Sequence, residues 1–401
     1  MLLLYFMDGL KIRMAKEHMP FLSGLEPIAL KSDFGYSCAC HATMYTGRTI
    51  QEHNTWFVWK KGPNSPYKFV DRIPLLKYLN CIPVKFAVSK IARKLHKNRS
   101  FSGIPMLVNL PLKYWSLFEP CETSFWTDDE YKPGIPTLFK ILREKHIAHD
   151  IVGLSRGGDV FAEETKVDYQ HDEFVYYFLG EVDSYLHKYG EHAPESADYL
   201  KQVDGFIRQT YEKAAALHDD VTVICYSDHG HIDVEEKIDI DDYFRPFGHR
   251  VNRYIHLVES TFARFWPRSD AERAEITEAL ADMQQKGLGF ILDAARYKQY
   301  HLEFDSDEHG SIVFHLRAPN IFTNTIWGFG KTIRSMHGYE PELEPHLGVF
   351  AANRSLVNTD FARLTDILPT VLAQIGVDAS PYHLAGRNLI AQGEAETEGR
   401  S

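Results

Sequence analysis

The sequence is short of cysteine, of long apolar runs and of positive charge, and each shortage excludes a class of protein. Five cysteines (Cys38, Cys40, Cys81, Cys121, Cys225) among 401 residues form an odd, sparse set. A disulfide framework is therefore not expected, and the chain reads as a reduced, cytoplasmic protein. No stretch approaches the roughly 18 apolar residues of a membrane span. The run over residues 1–7 is closed by Asp8 and has no basic region before it, which makes it too short for a secretory signal. Lys and Arg total 44 against 55 Asp and Glu, a net charge of −11. Binding to a nucleic-acid duplex, which needs a clustered positive face, is not expected. There is also no internal repeat and no low-complexity tract, and no Gly-x-Ser-x-Gly elbow surrounds Ser37.

What is present is an ordinary globular composition, 44% apolar and 25% charged. Several apolar runs of four to seven residues end in residues able to do chemistry. Residues 2–7 lead to Asp8-Gly9, 174–179 to Glu181 and Asp183, and 221–226 to Ser227-Asp228-His229-Gly230; 106–110 is a further run of this kind. Rich in Val, Ile, Tyr and Phe, such runs fit buried parallel strands. Between the last two of the Asp-bearing runs, Leu200, Val203, Ile207, Tyr211, Ala214 and Leu217 recur at helical spacing, which predicts a helix over 197–217. The order strand, helix, strand implies a doubly wound, mostly parallel sheet flanked by helices, with function at the strand C-termini. Residues from about 55 to 165 and from about 235 to 330 fit the alternation poorly and read as cap insertions into one catalytic domain spanning 1–390. The second holds a helix over 270–285 and strand-like segments at 300–304 and 311–316. Residues 360–375 read as a helix with an internal Pro369, and 391–401 as a polar tail.

The chemistry concentrates in five places. Asp228 and His229 after a strand supply an oxygen and a nitrogen ligand, a pairing suited to zinc or a similar ion, although an Asp-His pair in a loop is often only a solvated surface pair. Asp183 and His187 share one helix face at i and i+4 and can converge on one ion, or serve as a cap and a solvated histidine. His337 lies in a Gly-flanked loop, and Asp8 stands where a turn residue would also serve. Ser37 precedes small residues and Thr46-Gly47, as at a strand-to-helix turn. Metal coordination would lower its pKa and make it a nucleophile.

In this order the residues resemble the alkaline phosphatase superfamily, and within it the type I phosphodiesterase/nucleotide pyrophosphatase branch. That pattern has a strand-end Asp-Gly, a Thr or Ser nine residues before Thr-Gly, Asp-x-x-x-His, Ser-Asp-His-Gly and a late His-Gly. Asp8-Gly9, Ser37 with Thr46-Gly47, Asp183/His187, Ser227 to Gly230 and His337-Gly338 match it. The Pro and His-Gly usual after the Thr-Gly are replaced here by Ile50 and His53-Asn54. The resemblance implies an alkaline phosphatase-like fold and two divalent ions, zinc first and manganese second. Asp8, Asp228, His229 and Ser37 would hold one ion, and Asp183, His187 and His337 the other. It implies attack by Ser37 on phosphorus, a phosphoserine, and Asn54 as a donor to the phosphoryl oxygens.

The substrate expected is a small phosphorylated molecule (a nucleotide, sugar or lipid headgroup ester), with diester or pyrophosphate bonds cleaved ahead of monoesters. Trp56 and Trp59 read first as core residues; with Tyr67 and Phe101 they are also candidates to pack on its second ester group, and Lys60, Lys61 or Arg99 to add charge. A sulfatase would have Arg in place of His41 and Lys in place of His337. A phosphotransferase would use the same Ser37 intermediate, and a metal-stapled binding module would not need the hydroxyl.

Overall fold

The Asp-bearing apolar runs become strands of one seven-stranded sheet. In the computed structural model, which describes residues 1–96, 107–122, 124–128, 130–154, 159–327 and 333–391, these strands are β1 (Leu2–Phe6), β2 (Ile28–Lys31), β3 (His149–Val152), β4 (Phe174–Phe178), β5 (Thr222–Tyr226), β6 (Gly348–Ala352) and β7 (Phe361–Arg363). Their order is β7-β2-β6-β5-β1-β4-β3. All pairings are parallel except those made by β6, which runs against both β2 and β5.

Every residue of β1, β5 and β6 is buried, as a sheet covered on both faces requires. Alternate side chains serve the two faces. Leu2, Leu4 and Phe6 pack with Tyr176, Ile224 and the helix Ile367–Gln374. Leu3 and Tyr5 pack with Val175, Val223 and the helix Pro194–Ala215. At about 1.5–3 kcal/mol for each large apolar side chain fully buried, these two layers dominate the stability of the sheet. They hold the C-terminal ends of β1, β4 and β5 side by side.

The helix predicted over 197–217 starts at Pro194, whose missing N–H costs nothing in the first turn. Its buried face carries Leu200, Val203 and Ile207. Residues 270–285 form the expected helix, started by the Ser269 hydroxyl accepting from the Glu272 N–H. It covers an antiparallel sheet of His256–Val258, Phe262–Phe265, Ile312–Leu316 and Gly289–Ile291, in that order across the sheet.

Three sequence readings change. Residues 300–304 form a turn and an irregular segment, not a strand; Leu302 packs into the cluster of Phe34 and Trp56 instead. Residues 360–375 divide into the edge strand β7 and a helix that begins only at Ile367, so Pro369 lies in its first turn. The described part of the 106–110 run is a turn. Lys85, on the helix Ile82–Leu95, is buried and donates to the Val108 carbonyl at 2.6 Å. Met106, Arg99, Phe101 and all of the tail but Ala391 lie outside the described residues. Among the described residues no helix is long and apolar enough to cross a membrane.

Candidate active site

The nine-residue interval between Ser37 and Thr46 is the length of one helix. The helix Ser37–Thr46 begins after Tyr36 in extended conformation and ends at Gly47, whose φ of 65° is the left-handed cap glycine accepts most easily. Ser37 thus occupies the first helical position, where unpaired N–H groups and the helix dipole favour an anion. Tyr36 is held from the second sheet: its hydroxyl accepts from the Thr261 N–H at 2.8 Å. The Thr261 hydroxyl in turn donates to the Gly338 carbonyl at 2.8 Å, so one turn of that sheet positions both Ser37 and His337.

Behind the helix, the Thr43 hydroxyl donates to Asp33 and accepts from His53 Nε2 at 3.0 Å, while His53 Nδ1 accepts from the Thr55 N–H at 3.1 Å. Burial pushes the Asp33 carboxyl up to about 7, with the Thr43 bond working the other way. A raised folded-state value means that stability falls as pH climbs from the unfolded value to the folded one. Asp33→Asn should therefore stabilise the protein at pH 8, by on the order of 2 kcal/mol, and the gain should shrink to nothing near pH 4. Thermal melts of the two proteins across that range check this; a gap that does not change with pH would remove Asp33 as its source.

Asp8 follows β1, Asp228 and His229 follow β5, and Asp183 and His187 lie on the helix Glu181–Tyr189 after β4. Met336, just before His337, pairs with Ile232 in a short antiparallel ladder. Two groups of ligand-type atoms result, each with all its atoms within 4.8 Å of one another: Asp8, Asp228, His229; and Asp183, His187, His231, His337. The His229 Nδ1–H donates to the Gly230 carbonyl at 3.3 Å. Its Nε2 therefore accepts, at 3.0 Å from the Ser37 hydroxyl, and lies 3.3 Å from Asp228 Oδ2 and 3.7 Å from Asp8 Oδ1. The His229 and His337 rings stack at 3.8 Å and join the two groups.

The charges in this cluster do not balance without a cation. Burial and then the neighbouring Asp228 carboxylate raise the Asp8 carboxyl well above the usual range. Burial lifts Asp228 to about 7 despite the N–H groups of Gly9 and His229 that bond its Oδ1. Burial opposes ionisation of Asp183, yet His187 and His231 hold it well below the ordinary value. Burial keeps His229 and His337 neutral. Asp8 Oδ1, Asp228 Oδ2 and His337 Nδ1 are buried without a hydrogen-bond partner. Buried carboxylate oxygens facing neutral imidazoles are what a divalent ion with mixed O and N ligands satisfies. A third group, Glu191, His192 and Asp233, is already neutralised, because Lys11 and Arg13 pair with Glu191.

The cleft beside Ser37 has a volume of about 830 Å³ and is lined by Tyr36, Ser184, Lys188, Ser260, Trp327 and Met336 among others. Asn54 is not brought to it. Its Nδ2 donates to Glu308 at 2.7 Å, its Oδ1 bonds His309 at 2.8 Å, and its backbone caps the helix Ile50–His53 in left-handed conformation. Asparagine tolerates that conformation, so Asn54 is accounted for by a backbone requirement. Trp56, Trp59 and Tyr67 are core residues at 0–1% exposure and do not line the cleft. Lys60 and Lys61 pair with Glu308 and Asp307. The residue the sequence reading missed is His231, brought to the Asp183 group; its signal was the second histidine of Ser-Asp-His-Gly-His.

A family model described as type I phosphodiesterase/nucleotide pyrophosphatase matches residues 3–340. No curated protein matches the sequence. Human ectonucleotide pyrophosphatase/phosphodiesterase 5 superposes with a TM-score of 0.61 at 14% identity, covering 94% of this chain and 95% of its own. The murine protein gives 0.64 at 14% identity, with 97% and 96% covered. An inactive variant of it in complex with AMP gives 0.63 at the same identity and coverage. At that identity the likeness establishes the fold.

Proposed function

Because this chain belongs to the type I phosphodiesterase/nucleotide pyrophosphatase family, a family of metal-dependent hydrolases of phosphodiester and pyrophosphate bonds, we propose that Ser37 is its nucleophile. We further propose that Asp8, Asp228, His229 and Ser37 hold one ion and Asp183, His187 and His337 the other. The observation that carries this reading is the Ser37 hydroxyl, 3.0 Å from His229 Nε2 at the head of a helix and beside two groups of ligand-type side chains. The donor sets, carboxylates with imidazoles, favour zinc over magnesium or calcium. When bound, the ions would supply Lewis-acid stabilisation of phosphoryl charge and lower the Ser37 pKa.

The chain's own groups do the rest. The Ser37 hydroxyl gives up its proton to water in the cleft, and Oγ attacks phosphorus opposite the leaving group. The P–O bond to that group breaks and a phosphoserine forms. Water then attacks the phosphoserine, which returns the hydroxyl and releases the phosphorylated product. The first N–H groups of the helix Ser37–Thr46 favour the phosphoryl anion.

For the substrate we propose a nucleotide-type diester or pyrophosphate. Tyr36, Trp327, Ile333 and Met336 give the cleft an apolar wall for a flat group, and the murine neighbour's AMP is consistent with that chemistry. Lys188 is the sole lysine or arginine lining the cleft among the described residues, which suits the single negative charge of a diester better than a monoester dianion. A diester should accordingly exceed its matched monoester in kcat/KM by about tenfold or more. Both p-nitrophenyl esters measured on one preparation decide this, and a tenfold preference for the monoester would make the protein a phosphomonoesterase.

A further inference from the structure

The hydrogen bonds behind the Asp183 group determine which nitrogens of its histidines carry protons. Ser335 is the hub. Its hydroxyl donates to the Leu186 carbonyl at 2.7 Å, and a hydroxyl has only one proton to give. At 2.9 Å from His231 Nδ1 it must therefore accept, and His231 Nδ1 carries the proton. The Ser335 carbonyl lies 2.8 Å from His187 Nδ1 and can only accept, so that Nδ1 is protonated too. In their neutral forms both rings present a lone pair at Nε2. Both lone pairs converge on one carboxylate oxygen: Asp183 Oδ1 is 2.8 Å from His231 Nε2 and 3.2 Å from His187 Nε2. His337 Nε2 stands 3.6 Å from the same atom.

Two lone pairs facing one carboxylate oxygen are reconciled by a cation between them. The backbone has also made room for the additional ring. Gly9 has φ of +74°, and a Cβ there would lie 2.7 Å from His231 Nε2; any side chain at position 9 would push that ring away from Asp183. A histidine whose distal nitrogen donates to a protein acceptor, while the other faces a carboxylate, has the arrangement of a metal ligand with its supporting partner.

We propose that His231 Nε2 is a fourth protein ligand to the ion held by Asp183, His187 and His337. The inference rests on the two-ion reading above and departs from the three-ligand site that the sequence pattern implied. The donor set becomes one carboxylate and three imidazoles, enough to complete a tetrahedral zinc site without water. A substrate oxygen then reaches this ion only as a fifth ligand, whereas the Asp8, Asp228, His229 site remains the one that Ser37 completes. The two sites would thereby differ in their donors: three imidazoles and one carboxylate against one imidazole, two carboxylates and the Ser37 oxygen.

The test uses the full chain labelled with 15N-histidine and loaded with 113Cd2+. Four imidazole Nε2 signals split by cadmium are expected, from His187, His229, His231 and His337, and the wild-type spectrum alone provides the count. Splitting at the other three with a proton on His231 Nε2 overturns the proposal and leaves the two-ion reading standing. No splitting at any histidine overturns both. Competition for Zn2+ against a chromophoric chelator adds a second readout: His231→Ala should weaken one site by about tenfold or more and leave the other within about twofold. Unchanged affinity at both sites would also overturn it.

Discussion

Replacing Ser37 with alanine is expected to lower kcat by about a thousandfold or more, with the fold and the ion content close to wild type. The hydroxyl is the nucleophile in the reading above, so its loss removes the covalent route and not one contact among several. The scaffold should tolerate the change. Alanine is the best helix former, position 37 is the first of the helix, and Asp8, Asp228 and His229 remain to hold the ion. Turnover of a p-nitrophenyl diester, circular dichroism and metal analysis on the same sample separate these effects. A variant that keeps more than a few per cent of wild-type turnover would remove Ser37 from the role. Ser184 or Ser260, which line the same cleft, would then be the candidates. Ser32 and Thr43, the nearest hydroxyls in sequence, are buried and bonded to Cys40 and Asp33.

Removing the ions should have an effect as large and should also reach stability. Chelation is expected to cut turnover by about a thousandfold or more, with recovery on adding back Zn2+ or Mn2+ and close to two ions bound per chain. The loaded protein should melt higher, because ions at about a thousand times their Kd contribute about 4 kcal/mol to the folded state. Asp228→Asn separates function from stability. It should abolish turnover through loss of a ligand, yet stabilise the ion-free protein by on the order of 1–2 kcal/mol, since one of two mutually repelling buried carboxylates is gone. Metal analysis that finds one ion or none after reconstitution would count against two sites. An ion-free Asp228→Asn protein that melts below ion-free wild type would show that the repulsion between Asp8 and Asp228, whose carboxyls are both raised, is weaker than the N–H bonds Asp228 accepts from Gly9 and His229.

How much of the site the sequence disclosed depended on whether each residue's signal was local. Asp8, Asp183 and Asp228 could be found because each stands just after a buried run, and a run buried on both faces announces itself by composition. Ser37 could be found because a helix has a fixed rise per residue, so a nine-residue interval closed by glycine marks its two ends. Asn54 misled because its local signal was real but belonged to the backbone: a left-handed cap draws asparagine as readily as a phosphoryl oxygen does. Trp56 and Trp59 are the core residues that they were first read as, and they do not line the cleft. The edge strand β7 was read as helix because its three residues are too few to show a period, and the register that makes them a strand comes from β2.

The sequence by itself determined that this chain makes a mostly parallel α/β sheet, that acidic and imidazole side chains of ligand type stand at its strand ends, and that a hydroxyl heads a helix among them. These are properties of short segments, set by periodicity, burial and capping. Only the tertiary structure decided which of these ligand-type side chains gather within 4.8 Å of one another and which way the rings of His187, His229 and His231 present their lone pairs. It alone placed His231 beside Asp183 and turned Asn54 away toward Glu308. Those outcomes depend on groups distant in the chain, Ser335 behind His231 and Thr261 between Tyr36 and Gly338, whose hydrogen bonds leave no trace in the spacing of either partner.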